Sequence, residues 1–434
     1  MNEEPSHYAL NPSSELVKRA AKLAKAESAR KGEPEFHMTE DMRRLSTPWS
    51  VSKVRAEQIQ ATDLPAGVIL DAAAGSGVQL IALTTGLKRP GLAIELDPNI
   101  GLLCAANMQI TGDEADLQRT MDRVLIGDGT DAENAIVAYW NSLREAGTRA
   151  HPPIGMLHLD PARPRDAQRH EIDEMEPAIG PVLRAWSNHL ETGPRGPAIL
   201  LDLSPRLNED QRSLVDAVIE TTFPGIPRTW EFLSQGGGRI DRLSVWIGSL
   251  SSQERSRCVR MGKKNIMATI EGEAAESELV TLSSPPPYGA YLTIVDSALV
   301  KSGLHEAWLE QALPEGTGHS WLRLDGRRPL LISTDPLIRD DEIDAFVIAS
   351  GEIVQHRLTP PELHTIEQTA ASSARNGVGK VTLRCSLEPD LHPTLQRRLD
   401  KAMKEFDGSR GFMVDLDLDR GSGSHTLYVV CKEQ

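Results

Sequence analysis

Between residues 68 and 250 the chain repeats one alternation, a short and almost unbroken apolar run followed by a longer amphipathic stretch. The runs are VILDA, GLAIEL, RVLIG, IGMLHL and PAILLDL. Runs of this length, without a polar residue at every second position, fit strands buried on both faces. The segments between them are long enough to cross over as helices, so the spacing predicts a parallel sheet covered on both sides. The pattern closes differently. RTWEFLS and RLSVWIGSL, separated by QGGGRID, read as a strand, a Gly-rich connection and an antiparallel partner. A parallel sheet finished by such a pair differs from the all-parallel core of dinucleotide dehydrogenases.

At 434 residues the chain exceeds one ordinary domain. Residues from about 11 to 60 read as helical, with Leu16, Ala20, Leu23 and Ala24 near helical spacing. The stretch SSQERSRCVRMGKKN has no clear apolar period and is expected to act as a boundary. Beyond it, SSPPPYGAYL reads as extended, because each Pro biases its predecessor away from helix. Strands are expected at GKVTLRCSL, GFMVDLDL and SHTLYVVCK, with helices near 361–374 and 393–406, which together describe a small α+β sandwich. The expected organisation is a helical segment over 1–62, an α/β domain over 63–252 and an α+β domain over 266–434.

Composition narrows the function classes. No apolar run approaches the roughly 20 residues that span a bilayer. The first residues, MNEEPSHYALNPSSE, lack the apolar region of a secretory signal. Cys104, Cys258, Cys385 and Cys431 lie far apart with no CxxC pair, which suggests neither a zinc site nor a disulfide framework. The expectation is a cytoplasmic protein without membrane or metal partners. A net charge of −15 argues against a general nucleic-acid coat. Two basic clusters, Lys18 to Lys31 and Arg255 to Lys264, still permit local phosphate contacts, although each alone reads as a solvated face.

The chemistry gathers at the ends of the apolar runs. In VILDAAAGSGVQLIAL a strand runs into Asp71 and then into a turn containing Gly75 and Gly77, followed by a helix. Glycines let the backbone approach a ligand there, and the helix start offers free N–H groups. Glu95 ends the second run and is suited to accept both hydroxyl protons of a ribose. Asp128 ends the third run and is suited to accept from an adenine amino group. Acids after three successive strands describe an adenosyl ligand with a cationic, phosphate-free tail. The fourth run ends in Asp160-Pro161-Ala162-Arg163, with Arg165 close behind.

The ordered series DAAAGSG, ELDP, GDGTD and LDPAR resembles that of class I S-adenosylmethionine-dependent methyltransferases, over roughly residues 63 to 250. The resemblance implies a Rossmann-like sheet with S-adenosyl-L-methionine as cofactor. It puts Asp71 near the methionine amino group and the backbone of Ala73, Gly75 and Gly77 around the ligand. It also puts Glu95 on the ribose and Asp128 at the adenine. A looser likeness covers TPWSVSKVRAEQI, LDPARP, LLDLSPRL and the tail from YGAYLTIVDSALVKSGL onward. These segments resemble methyltransferases with a THUMP-like C-terminal domain. The chain departs from that pattern at Pro164, where a second arginine is common, and at Ala73 and Ala74.

By the same resemblance Asp160 sits at the reacting centre, fixed by the rigid Pro161, and accepts a proton from a target amine as charge develops on nitrogen. Arg163 has two readings of about equal weight. It contacts a phosphate or base of the substrate, or it closes its loop by pairing with Asp166, Glu171 or Asp173. The DPAR stretch lacks the second proline and the aromatic of base amino-group methyltransferases. Covalent C5 chemistry is disfavoured because no cysteine lies between Cys104 and Cys258. The expected function is methylation of a base nitrogen in RNA, tRNA or rRNA. The alternatives are a noncatalytic RNA-binding or assembly protein on the same fold, and methylation of a protein or small molecule.

Overall fold

The computed structural model describes residues 6–114, 119–162, 172–326, 328–357, 359–419 and 424–433. The chain forms two compact units, residues 1–231 with 242–255 and 263–265, and residues 232–241 with 256–262 and 266–434.

The first unit begins with β1 (Tyr8–Leu10), α1 (Ser14–Leu23), β2 (Ala26–Glu27), β3 (Phe36–His37), α2 (Glu40–Leu45) and α3 (Trp49–Gln60). The alternating part follows as β4 (Val68–Asp71), α4 (Val78–Leu87), β5 (Gly91–Glu95), α5 (Pro98–Glu114), β6 (Arg123–Ile126), α6 (Ala132–Glu145) and β7 (Ile154–Leu159). It continues through α7 (Ile179–Trp186), β8 (Thr192–Gly193), β9 (Gly196–Leu203), α8 (Glu209–Thr222), β10 (Arg228–Ser234, whose residues from Phe232 on are counted with the second unit) and β11 (Arg242–Gly248). The sheet order is β1-β6-β5-β4-β7-β9-β11-β10, with β8 paired to β9 off that path. Strands β6, β5, β4, β7 and β9 are parallel neighbours, and β11 runs antiparallel to β9. This is the parallel sheet closed by a strand pair that the apolar runs imply. Strands β4, β6 and β7 are buried along their whole length, as strands covered by helices on both faces are. One layer of that core packs Ile69, Leu80, Ile81, Val124, Met156, Leu200 and Trp246 together.

The N-terminal segment differs from the single helical reading. It holds three short helices and a two-stranded ribbon formed by β2 and β3. Helix α1 ends at Ala24 in an extended conformation, Gly32 takes a positive φ of 86°, and Pro48 caps the start of α3. Gly32, Pro34 and Pro48 disfavour helix, and residues 30–35, RKGEPE, supply no apolar position to continue the period. The three residues of β1 carry no periodicity of their own, and become a strand by pairing antiparallel with the edge strand β6. On α1, Lys18, Arg19 and Lys22 are exposed, as a solvated face requires.

The second unit contains β12 (Ser256–Met261), β13 (Ile266–Gly272), β14 (Tyr291–Val295), α9 (Ser297–Lys301), α10 (His305–Ala312), β15 (His319–Arg323) and β16 (Leu330–Ser333). Then come α11 (Asp341–Ala345), β17 (Val347–Arg357), α12 (Ile366–Arg375), β18 (Val378–Leu383), α13 (His392–Met403), β19 (Ser409–Asp419) and β20 (Ser424–Glu433). Strands β14 to β20 form a seven-stranded sheet in the order β15-β16-β14-β17-β20-β19-β18. Helices α12 and α13 lay Ile366, Leu395 and Leu399 on Val381, Leu383 and Met413 of one face. The expected helices and C-terminal strands are therefore present, within an α+β unit of more strands than the sequence pattern names. The segment read as a plain boundary carries β12, which pairs antiparallel with β13. Cys258, Val259 and Met261 are buried there between basic residues, a mixture that hides the strand from any period-2 pattern.

One contact of the first unit fixes the edge where the acids lie. Gly129, just after β6, comes so close to the turn after β4 that a Cβ would stand 2.1 Å from the Ala72 carbonyl oxygen. Gly129→Ala should therefore cost about 1–3 kcal/mol through forced separation of the two loops. A urea denaturation midpoint equal to that of the wild type would show that the loops have room to spare.

Candidate functional site

Parallel pairing brings the ends of β6, β5, β4 and β7 to one edge of the sheet, and each end carries an acid from the sequence series. Along this edge the order is Asp128, Glu95, Asp71 and Asp160. In open α/β sheets the crevice outside the carboxyl ends of the strands is where ligands bind.

The Gly-rich turn follows β4. Gly75 and Gly77 have φ of 52° and 77°, a region that other residues adopt only with strain. A Cβ on Gly75 would meet nothing within 4 Å, so the backbone there faces open space. At Gly77 a Cβ would press on Cys104 Sγ at 2.7 Å, so this glycine lets α4 and α5 approach. Asn107 of α5 holds the turn from behind. Its Nδ2 donates to the carbonyl oxygens of Ser76 and His37, at 3.0 and 3.1 Å. The Ser46 and Ser76 hydroxyls meet at 2.9 Å, which ties the connection between α2 and α3 to the same turn.

Each edge acid has a distinct setting. Glu95 accepts the Gly75 N–H on Oε2 and the Asp97 N–H on Oε1, both at 3.0 Å. Burial raises its pKa above the usual carboxylate value, and these N–H bonds only partly offset the rise. Each carboxylate oxygen has two lone-pair sites, so both can still accept from a diol. Asp128 is exposed, and its Oδ1 accepts from the N–H and hydroxyl of Thr130, both at 2.8 Å. Its Oδ2 has no protein donor among the described residues. The Asp128 carbonyl oxygen accepts from His7 Nε2 at 3.0 Å, so the N-terminal segment buttresses this loop. Open backbone at Gly75, a diol acceptor at Glu95 and an open acceptor at Asp128 are the features an adenosyl group needs.

Asp160 is half-buried and Pro161 is buried. The adjoining Ala162 exchanges backbone hydrogen bonds with Glu176, at 2.7 and 3.0 Å, which fastens the start of the loop. Arg163, Pro164 and Arg165 lie outside the described residues, so the two readings of Arg163 remain as the sequence left them. Ala73 stands in the turn, and its N–H is bound by Asp71 Oδ1 at 3.2 Å.

Asp71 belongs to a buried chain of charges that the series of edge acids does not reveal. Its Oδ2 lies 2.8 Å from His158 Nδ1, and His158 Nε2 lies 3.1 Å from Asp202 Oδ2. Arg55 Nη1 and Nη2 each donate to Asp202 at 2.6 Å, one to each carboxylate oxygen. The Ser244 hydroxyl donates to Asp202 Oδ1 at 2.9 Å. Strand register explains the meeting. His158 is the direct partner of Asp71 across β4 and β7, and Ser244 is the direct partner of Asp202 across β9 and β11. Both His158 nitrogens face carboxylates, which accept only, so the ring carries two protons. Burial by itself would lower the His158 pKa, but Asp71 and Asp202 outweigh it and push it up to about 10. Burial likewise opposes charge on Asp202, and the Arg55 and His158 cations overcome it and hold Asp202 well below the usual carboxylate range. Arg55 is fully buried, and Asp202, Glu231 and Asp160 all favour its charged form.

His158, Asp202 and Arg55 lie in the stretches MLHLD, LLDLS and SKVRAEQ but are not among the site residues that the sequence pattern picks out. A signal was present. A His in MLHLD and an Asp in LLDLS interrupt strands that are otherwise apolar, and a buried polar group in such a strand requires a partner. Among the described residues no group of three or more metal-ligating side chains could hold a metal ion, and no helix is long and apolar enough to cross a membrane.

No protein-family model matches the chain, and no curated protein sequence matches it. Solved structures align with about half of its length. One is a candidate class I S-adenosylmethionine-dependent methyltransferase from Listeria monocytogenes, 13% identical over 53% of this chain and 67% of that one, with a TM-score of 0.32. Another is a precorrin-6y C5,15-methyltransferase from Geobacter metallireducens, 13% identical over 50% and 94%, with a TM-score of 0.30. A third is the methyltransferase subunit of a type I restriction-modification system from Streptococcus thermophilus, 15% identical over 51% and 49%, with a TM-score of 0.33.

The charged state of His158 sets a pH dependence. Its folded pKa of about 10 lies above the unfolded one, so its stabilising contribution is lost as pH rises through about 10. That contribution is complete below about 6.5, the ordinary histidine value. The stability difference between wild type and His158→Gln should therefore be large near neutrality and shrink steadily towards strongly alkaline pH. Urea denaturation of both proteins across that range measures it. A constant difference would mean that His158 is uncharged at neutral pH.

Proposed function

We propose that this protein is an S-adenosyl-L-methionine-dependent methyltransferase that acts on a base nitrogen of RNA. The observation that carries the cofactor is the order of acids along one sheet edge. Adenine recognition at Asp128, a diol acceptor at Glu95 and the turn after β4 follow one another in the order adenine, ribose, tail. The next strand end, β7, carries Asp160 and Pro161, where the tail of such a ligand would present its reactive carbon. When bound, the cofactor supplies a methyl group on a sulfonium.

Within this reading Glu95 binds the ribose, and the backbone of Ala73, Gly75 and Gly77 lines the ligand. Asp160 orients the acceptor amine and takes up its developing charge through a hydrogen bond, while Pro161 restricts the backbone. Nitrogen as the acceptor is supported by a carboxylate at this strand end. The buried thiols argue against covalent C5 chemistry. Cys104 and Cys258 are both buried away from substrate, and burial also pushes the Cys104 thiol well up. RNA as the substrate is supported by the THUMP-like resemblance of the second unit, and Arg163 would then contact substrate near the reacting centre.

Glu95→Ala should weaken S-adenosylmethionine binding more than a hundredfold, because two hydrogen bonds to a charged acceptor are worth about 3 kcal/mol or more. Calorimetry checks this, and unchanged affinity would remove Glu95 from the site. Asp160→Ala should keep cofactor affinity and lose methyl transfer, measured as single-turnover incorporation of labelled methyl into bulk RNA. An active Asp160→Ala protein would overturn its assigned role. Mass spectrometry of RNA nucleosides from cells with and without the gene tests the substrate class. Label entering protein extract and not RNA would favour a protein methyltransferase.

A further inference from the structure

Resting on the cofactor assignment above, we propose that His158 is a positioning residue for the amino-acid tail of the cofactor, acting through Asp71 and anchored by Asp202 and Arg55. It touches no ligand itself. It moulds the start of the turn after β4 in two ways. The His158 carbonyl oxygen accepts the Ala72 N–H at 3.2 Å. Its ring holds Asp71 Oδ2 at 2.8 Å, while Asp71 Oδ1 takes the Ala73 N–H at 3.2 Å. Two successive backbone N–H groups of the turn thus depend on one residue of the neighbouring strand. Asp160 follows two residues later on that strand, so the same residue relates the tail site to the reacting centre.

Position along the sheet edge makes the effect selective. Adenosine is assigned to the ends of β5 and β6, whereas the chain of charges is carried by α3, β4, β7 and β9, with Ser244 of β11 bound to it. Loosening it should disturb the part of the ligand that crosses β4 and leave the adenosine end in place. The four charges alternate, Asp71 negative, His158 positive, Asp202 negative and Arg55 positive, and sum to zero. An uncharged residue at 158 would leave Asp71 without its cation in a buried site, where an unpaired carboxylate no longer holds one fixed position.

The test compares two ligands on the full chain. S-adenosylhomocysteine has the amino-acid tail, and 5′-methylthioadenosine has the adenosine without it. His158→Gln should weaken S-adenosylhomocysteine at least tenfold and leave 5′-methylthioadenosine within about twofold, both measured by calorimetry. Equal weakening of both ligands, or of neither, would overturn the positioning role. Thermal melting and circular dichroism establish that the variant is folded. If it is not, Ser244→Ala decides, since it removes one hydrogen bond to Asp202 and one from Arg55 and keeps all four charges. It should shift the ratio of the two affinities by about threefold in the same direction, and an unchanged ratio would overturn the proposal. Wild-type protein that binds neither ligand would instead refute the cofactor assignment, and this inference with it.

Discussion

The contact between Asp202 and Arg55, continued through His158 to Asp71, is the constraint on which the first unit turns. Four ionised groups stand in a site with almost no access to water, where each alone would cost several kcal/mol. They are tolerable because the charges alternate and because both His158 nitrogens and both Asp202 oxygens are bound. The arrangement is demanding in return. Any one of the four, left without its neighbour, becomes an uncompensated buried charge, so α3, β4, β7, β9 and β11 must meet in one register. An apolar core could tolerate a small slip between strands, whereas this one joins fixed donors to fixed acceptors.

The edge above that chain inherits its order. Asp71 is fixed by His158, the turn is fixed by Asp71 and Asn107, and Glu95 takes a backbone N–H from the same turn. The loop after β6 is pressed against Ala72 at Gly129, whose carbonyl oxygen accepts the Trp186 indole N–H at 2.8 Å. His7 closes the far end by binding the Asp128 carbonyl oxygen. Asp71, Glu95 and Asp128 are therefore each held by a different piece of chain, and the spacing between them is set by strand pairing. Preorganisation of this kind keeps polar groups aimed before a ligand arrives, and so reduces the ordering that binding would otherwise require.

Much of this was legible in the residues. The apolar runs specify the parallel strands because a strand covered on both faces has no solvated side on which to place polar residues. The strand pair at the end, the Gly-rich turn and the acids at strand ends all fall where the pattern puts them. The N-terminal segment is three helices and a ribbon and not one helical stretch; Gly32, Pro34 and Pro48 carry break signals, but the two-residue strands β2 and β3 are too short to show a period. Strand β1 has only three residues, and β12 mixes buried apolar residues with arginines, so neither carries a period that identifies it.

The sequence by itself determined the class of the sheet, the order of its strands along the chain and the acids placed at their ends, because local burial and turn chemistry are written in neighbouring residues. It did not determine which strand lies beside which, and the site depends on that. Arg55 and Asp202 are separated by 147 positions, Asp71 and His158 by 87, and although His158 and Asp202 stand out in apolar runs, nothing local says which residue each one meets. Only the packed sheet brings them within hydrogen-bonding distance. Burial then removes the water that would otherwise satisfy them, so their charges act on one another.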